Sequence, residues 1–81
     1  MKLSKGNIHM FTIFGKEECP FCVKAKELLV DRGFEFKYFL LGKDIDRDSV
    51  EKTIGRPFKT VPQIMFDNNY IGGYSDLAAG I

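Results

Sequence analysis

The tightest constraint on this chain is a run of three segments separated by short joints. Ile8 to Phe14 is rich in β-branched and aromatic residues and is bounded by Asn7 and Gly15, so it reads as a strand. It lacks clean alternation, which suits a central strand covered on both faces. Pro20 to Arg32 reads as a helix. Pro20 fits the first helical position, where a missing N–H leaves no bond unmade. Phe21, Ala25, Leu28 and Leu29 fall at helical spacing as an apolar stripe, with Lys24, Lys26, Glu27 and Asp31 turned outward and Gly33 as the stop. Glu35 to Leu41 reads as a second strand. Strand, helix and strand with joints this short make a right-handed crossover, so the two strands run parallel.

The remaining segments add to this unit. Asp44 to Ile54 is a shorter helix, with Asp46 or Asp48 as its cap and Ile45, Val50 and Ile54 as its buried stripe. Asp48 with Glu51 fits a capping box. Arg56 to Thr60 is a loop leading to Val61-Pro62. Gln63 to Phe66 and Tyr70-Ile71 are short strands joined through Asp67-Asn68-Asn69, residues suited to a tight hairpin. Gly72-Gly73 breaks the chain, and Ser75 or Asp76 caps a last helix of Leu77, Ala78 and Ala79. The order is β-α-β-α-β-β-α, an α/β class domain with one mixed four-stranded sheet and helices on both faces. Residues 1–81 are expected to form one domain, with 1–7 a polar, frayed lead-in.

Composition narrows the function classes. Apolar residues at 44% support a packed core rather than a disordered chain. Twelve basic and eleven acidic residues give no field of one sign, which argues against nucleic-acid or membrane binding. No apolar run approaches the roughly 18–20 residues of a membrane span. The two lysines near the N-terminus are not followed by an apolar core of a signal peptide, so a cytoplasmic address is expected. In that compartment two cysteines point to reactivity more than to a structural staple.

Both cysteines lie in Cys19-Pro20-Phe21-Cys22, at the junction of the first strand and the first helix. Disulfide exchange needs a thiolate. Cys19 stands just before the first helical turn, where free N–H groups and the helix dipole favour an anion, and Lys16 adds positive charge. Glu17 and Glu18 oppose it. Cys22 lies one turn deeper and should be less exposed. The pair is therefore asymmetric, with Cys19 as nucleophile and Cys22 as resolving thiol. A zinc site is disfavoured, since no third cysteine exists and the one histidine, His9, falls in the apolar first strand. A structural disulfide or two ordinary buried cysteines remain as bland alternatives. Asp44 to Asp48 fails as a calcium loop, with Ser49 and Gly55 where glycine and glutamate are needed.

Two further stretches matter in combination. Pro62, before a short strand, can be cis, which would turn the Val61 backbone toward an extended peptide. Gly72-Gly73-Tyr74-Ser75-Asp76 combines close backbone approach with a helix start that can meet a carboxylate.

Together, Cys19-Pro20-Phe21-Cys22, Thr60-Val61-Pro62-Gln63-Ile64 and Gly72-Gly73-Tyr74-Ser75-Asp76 resemble the small dithiol glutaredoxins, in family order and spacing. The resemblance runs from about Phe11 to Ala79. It implies a thioredoxin fold with sheet order 2-1-3-4 and a glutathione-dependent thiol–disulfide oxidoreductase. Such an enzyme reduces protein disulfides and glutathione mixed disulfides, and some members supply electrons to ribonucleotide reductase. By position, the resemblance makes Cys19 the nucleophile, Cys22 the resolving thiol and Lys16 the partner of the glycine carboxylate of glutathione. Thr60 and Val61 pair with the tripeptide backbone, Pro62 is the cis-proline, and Ser75 and Asp76 hold the γ-glutamyl end, with Gly73 and Tyr74 also in the glutathione site. Phe21 stands where tyrosine is commonest and keeps only the apolar wall. The expected cosubstrate is glutathione with no metal, and the expected state is a monomer. Two rival readings stay open: a thioredoxin-like donor served by a flavin-dependent reductase, and an iron–sulfur carrier dimerised through glutathione.

Overall fold

The computed structural model describes residues 10–81. The first part of the expected strand (Ile8 and His9) and the lead-in at 1–7 lie outside the described residues. The elements are β1 (Phe11–Gly15), α1 (Pro20–Asp31), β2 (Phe36–Leu40), α2 (Arg47–Ile54), β3 (Gln63–Phe66), β4 (Asn69–Gly72) and α3 (Tyr74–Gly80). The sheet order is β2-β1-β3-β4. β1 runs parallel to β2, with Ile13 opposite Tyr38, and antiparallel to β3, with Ile13 opposite Ile64. The order and directions are those of the thioredoxin fold, and β1 is central as its apolar run requires.

Alternation along β1 and β3 splits the core in two. Phe11, Ile13 and Ile64 face α1 and α3, where Ala25, Leu29 and Leu77 meet them. Phe14 and Met65 face the other way, against Val50 and Ile54 of α2 and Phe58 of the loop after it. The sheet is thus covered on both faces. Apolar burial of this kind contributes about 25 cal/mol per Å² and is the main favourable term in a chain this small.

Three local readings are narrowed or corrected. The buried stripe of α1 is Cys22, Ala25 and Leu29, while Phe21 is 54% exposed and Leu28 only half-buried. The cap of α2 is Asp46, whose carboxylate accepts from the Ser49 N–H at 2.8 Å, and Asp48 lies inside the first turn. Ile45 precedes that helix, half-buried, in a bridge with Leu41. The third correction concerns α3, which begins at Tyr74 with Gly73 as its cap residue. Asp76 sits in the first turn and its Oδ2 accepts from the Gly73 N–H at 3.1 Å, so it serves the cap from inside the helix.

Candidate active site

Cys19 ends the loop after β1 and caps α1 in extended backbone, with Pro20 opening the helix. Glu18, one residue earlier, has a φ of 55°, in the left-handed region. That turn of the backbone delivers Cys19 to the helix start. Cys19 and Cys22 are joined as a disulfide, their Cα atoms 5.2 Å apart. The Cys22 N–H points at Cys19 Sγ at 3.2 Å. On reduction the same N–H and the helix dipole stabilise a Cys19 thiolate, as the sequence anticipates. Cys19 retains 7% of its surface and Cys22 none, so the outer sulfur is the one a substrate reaches.

The Val61-Pro62 peptide bond is cis. The Val61 carbonyl oxygen lies 3.9 Å from Cys19 Sγ, a contact rather than a hydrogen bond while the sulfur carries no proton. The segment is held from below by a buried amide. Gln63 Nε2 donates to the Thr60 carbonyl at 2.7 Å, and the Tyr70 hydroxyl donates to Gln63 Oε1. Both functions of that amide are satisfied, as burial demands.

The loop before it is held from the side. Arg47 Nε lies 3.3 Å from Glu51 Oε2, and its guanidinium donates to the Phe58 carbonyl while lying 4.3 Å from the Phe58 ring centroid. Glu51 Oε2 also accepts from the Phe58 N–H at 3.3 Å. Arg47, Glu51 and Phe58 therefore pin the chain leading to Thr60 onto α2.

Two adjoining hollows meet at Phe21, Thr60 and Val61. The first, about 380 Å³, exposes Cys19 and is lined by Lys16, Glu18, Pro20, Leu41, Arg47, Phe58 and Lys59. The second, about 510 Å³, is lined by Pro62, Gln63, Tyr70, Gly73, Tyr74, Ser75 and Asp76. Phe21 stands between them, its ring 5.9 Å from that of Tyr74 and 5.3 Å from the Lys24 ammonium. Together they form a groove past the outer sulfur, basic at one end and carrying a hydroxyl and a carboxylate at the other.

Every expected site residue lies on this groove except Cys22, which sits beneath it. The sequence reading missed Arg47, Lys59, Leu41 and Phe58. Lys59 adjoins Thr60 and was open to inference from that neighbour alone. Arg47 looked like an ordinary charge at a helix start, and only the fold brings it to the hollow that exposes the sulfur. Among the described residues no cluster of metal-ligating side chains is present, and no helix is long and apolar enough to cross a membrane.

The glutaredoxin family model matches residues 11–71. Glutaredoxin 1 of Salmonella typhimurium is 43% identical over 77 residues, spanning 86% of this chain and 88% of that one. The solution structure of reduced Escherichia coli glutaredoxin superposes with a TM-score of 0.75 at 38% identity, over 88% of this chain and 91% of that one. The buckwheat glutaredoxin–glutathione complex shares the fold, with a TM-score of 0.71 at 22% identity over 85% of this chain and 64% of that one. A redox-capable Cys19–Cys22 pair at a helix start, on this sheet and with these relatives, places the chain in the glutaredoxin family, as a thiol–disulfide oxidoreductase.

Proposed function

We propose that the enzyme draws its electrons from glutathione and reduces both protein disulfides and glutathione mixed disulfides. The observation that carries this is the groove. Its basic end (Lys16, Arg47, Lys59) suits the glycine carboxylate of the tripeptide. Its far end suits the γ-glutamyl group, with Ser75 meeting the α-carboxylate and Asp76 the α-ammonium. Between them the Val61 backbone, beside Cys19 Sγ, pairs with the cysteinyl residue in strand-like fashion. Phe21 and Tyr74 supply apolar walls. A glutaredoxin of the same fold, from buckwheat, has been solved in complex with glutathione.

In the mechanism that follows, the Cys19 thiolate attacks the glutathione sulfur of a mixed disulfide, and the substrate thiolate leaves. A second glutathione thiolate attacks the glutathione sulfur of the Cys19 adduct. Glutathione disulfide forms and the Cys19 thiolate returns. With a protein disulfide, Cys19 forms the mixed disulfide and Cys22 attacks Cys19 Sγ, expelling the reduced protein. Two glutathiones then reduce the Cys19–Cys22 bond in turn. Ribonucleotide reductase is a candidate acceptor of these electrons. The enzyme acts as a cytoplasmic monomer and uses no metal.

A coupled assay decides the electron source. Oxidised enzyme is supplied either with glutathione, glutathione reductase and NADPH, or with thioredoxin reductase and NADPH. Turnover with the first and none with the second is expected. Turnover only with thioredoxin reductase would overturn the reading.

A further inference from the structure

Reduction of the Cys19–Cys22 bond places most demand on its inner sulfur. When a glutathione thiolate attacks Cys19 Sγ, a new sulfur–sulfur bond forms there, and the old one breaks with its electron pair on Cys22 Sγ. Cys22 is wholly buried, and an unpaired thiolate is costly in such a place.

Gly15, the last residue of β1, separates Cys22 from Tyr38 of β2. A Cβ built on Gly15 would lie under 3.0 Å from both the Tyr38 hydroxyl and Cys22 Sγ. The hydroxyl and the sulfur therefore flank one small space that only glycine leaves open. Tyr38 stands opposite Ile13 in the sheet, on the face covered by α1. Its ring is fixed from two sides. The hydroxyl donates to the Lys16 carbonyl at 3.2 Å, and the Lys26 ammonium lies 4.4 Å from the ring centroid. Lys26 follows Cys22 by one helical turn, so the three groups stack at one end of the α1–sheet interface.

We propose that the Tyr38 hydroxyl receives the Cys22 thiolate, turning its hydrogen bond from the Lys16 carbonyl to Cys22 Sγ as the disulfide opens. A phenolic O–H rotates about its C–O bond, and the space at Gly15 leaves room for the hydroxyl to close on the sulfur. Burial pushes the Tyr38 phenol up from its ordinary value, so it keeps its proton at neutral pH and acts as a donor. No proton is transferred in this step. The thiolate accepts a hydrogen bond and later attacks Cys19 Sγ from that state when the pair re-forms. The return of the hydroxyl to Lys16 also ties the oxidised state to the placement of the Lys16 loop at the groove.

The reductant in this step rests on the glutathione reading, but the state of Cys22 can be measured without it. Tyr38→Phe keeps the ring and its stacking under Lys26 and removes only the hydroxyl. In a Cys19→Ser background Cys22 is the only thiol. Its ionisation is followed by NMR of cysteine labelled at Cβ. The Lys26 ammonium over the Tyr38 ring, the Lys16 side chain and the α1 dipole are the same in both proteins. Removing a hydrogen bond to a charged acceptor should raise the Cys22 midpoint by about one pH unit, a roughly tenfold loss of thiolate at a given pH. Stopped-flow reduction of the Cys19–Cys22 disulfide by glutathione should slow about threefold in Tyr38→Phe, because only part of the thiolate charge has developed on Cys22 in the transition state. That slowing should vanish for turnover of the Cys19–glutathione adduct in a Cys22→Ser background. An unchanged Cys22 midpoint, or equal slowing in both backgrounds, would overturn the proposal, the latter by showing that the hydroxyl acts only through Lys16. If glutathione fails to open the disulfide in either protein, the glutathione reading falls, and the Cys22 midpoint still decides the role of Tyr38.

Discussion

Lys59 gives the basic end of the groove a direct test. It lines the hollow that exposes Cys19, with Lys16 and Arg47, and Glu18 opposes them. Arg47 is already engaged by Glu51 and Phe58, so Lys16 and Lys59 carry the freer charges. A unit charge about 5 Å from a carboxylate is worth about 0.8 kcal/mol in water, and exposed pairs fall to about 0.5 kcal/mol after screening and side-chain ordering. Lys59→Gln should therefore lower kcat/KM for glutathione about two- to threefold. Lys59→Glu replaces attraction with repulsion and should lower it about five- to tenfold. The assay is steady-state turnover of a small glutathione mixed disulfide at low salt and at about 0.5 M salt, where the Debye length falls to a few Å. The deficit should shrink toward parity in salt. An unaffected Lys59→Glu enzyme at low salt would refute the placement of the carboxylate. A deficit that survives high salt would show that Lys59 acts through packing.

Three further outcomes follow from other parts of the molecule. Gly72 has a φ of 131°, and a Cβ there would lie 2.8 Å from Asp76 Cγ, so Gly72→Ala should cost about 1–3 kcal/mol in urea unfolding and raise KM for glutathione by displacing Asp76. Asp46→Ala should lower Tm, whereas Asp46→Asn should largely preserve it, because asparagine can also accept from the Ser49 N–H. The Ser49 backbone bond holds the Asp46 carboxyl below its ordinary value, so its contribution is present above the unfolded-state pKa and is lost as pH falls through the depressed folded value. The acid limb of a Tm-against-pH curve should be shallower for Asp46→Asn, and an unchanged limb would contradict that cause. Glu18→Gly should hold or raise Tm by removing a side chain from the left-handed region, and a clear loss would show that the Glu18 side chain is needed where it stands.

The fold was legible because its signals were local and agreed with one another. Pro20 and Gly33 bracket α1, the apolar runs mark the strands, and the short joints force the parallel pair. Of the candidate site, Cys19, Cys22, Pro62 and the Gly72-Gly73 turn were legible as a group, and the fold brings them together. Phe21 was assigned to the buried stripe as well as to the wall of the site, because helical spacing cannot tell a core residue from a wall that faces a groove. Both are apolar and one turn from Ala25, and only the sheet beneath Cys22 decides between them. The start of α3 was misplaced because Asp76 caps from within the helix, through Gly73, a residue without a side chain. Arg47 and Tyr38 were invisible for a different reason. Their partners lie 11 and 22 residues away in sequence, so their roles exist only once the chain is folded.

The two sulfurs do unequal work, and one pair of assays separates them. Deglutathionylation of a small mixed disulfide, coupled to glutathione reductase, should be measured for the parent enzyme, Cys19→Ser and Cys22→Ser, alongside reduction of a protein disulfide. Cys19→Ser is predicted to lose both activities, and Cys22→Ser to keep the first and lose the second. Full activity in Cys19→Ser would contradict the account.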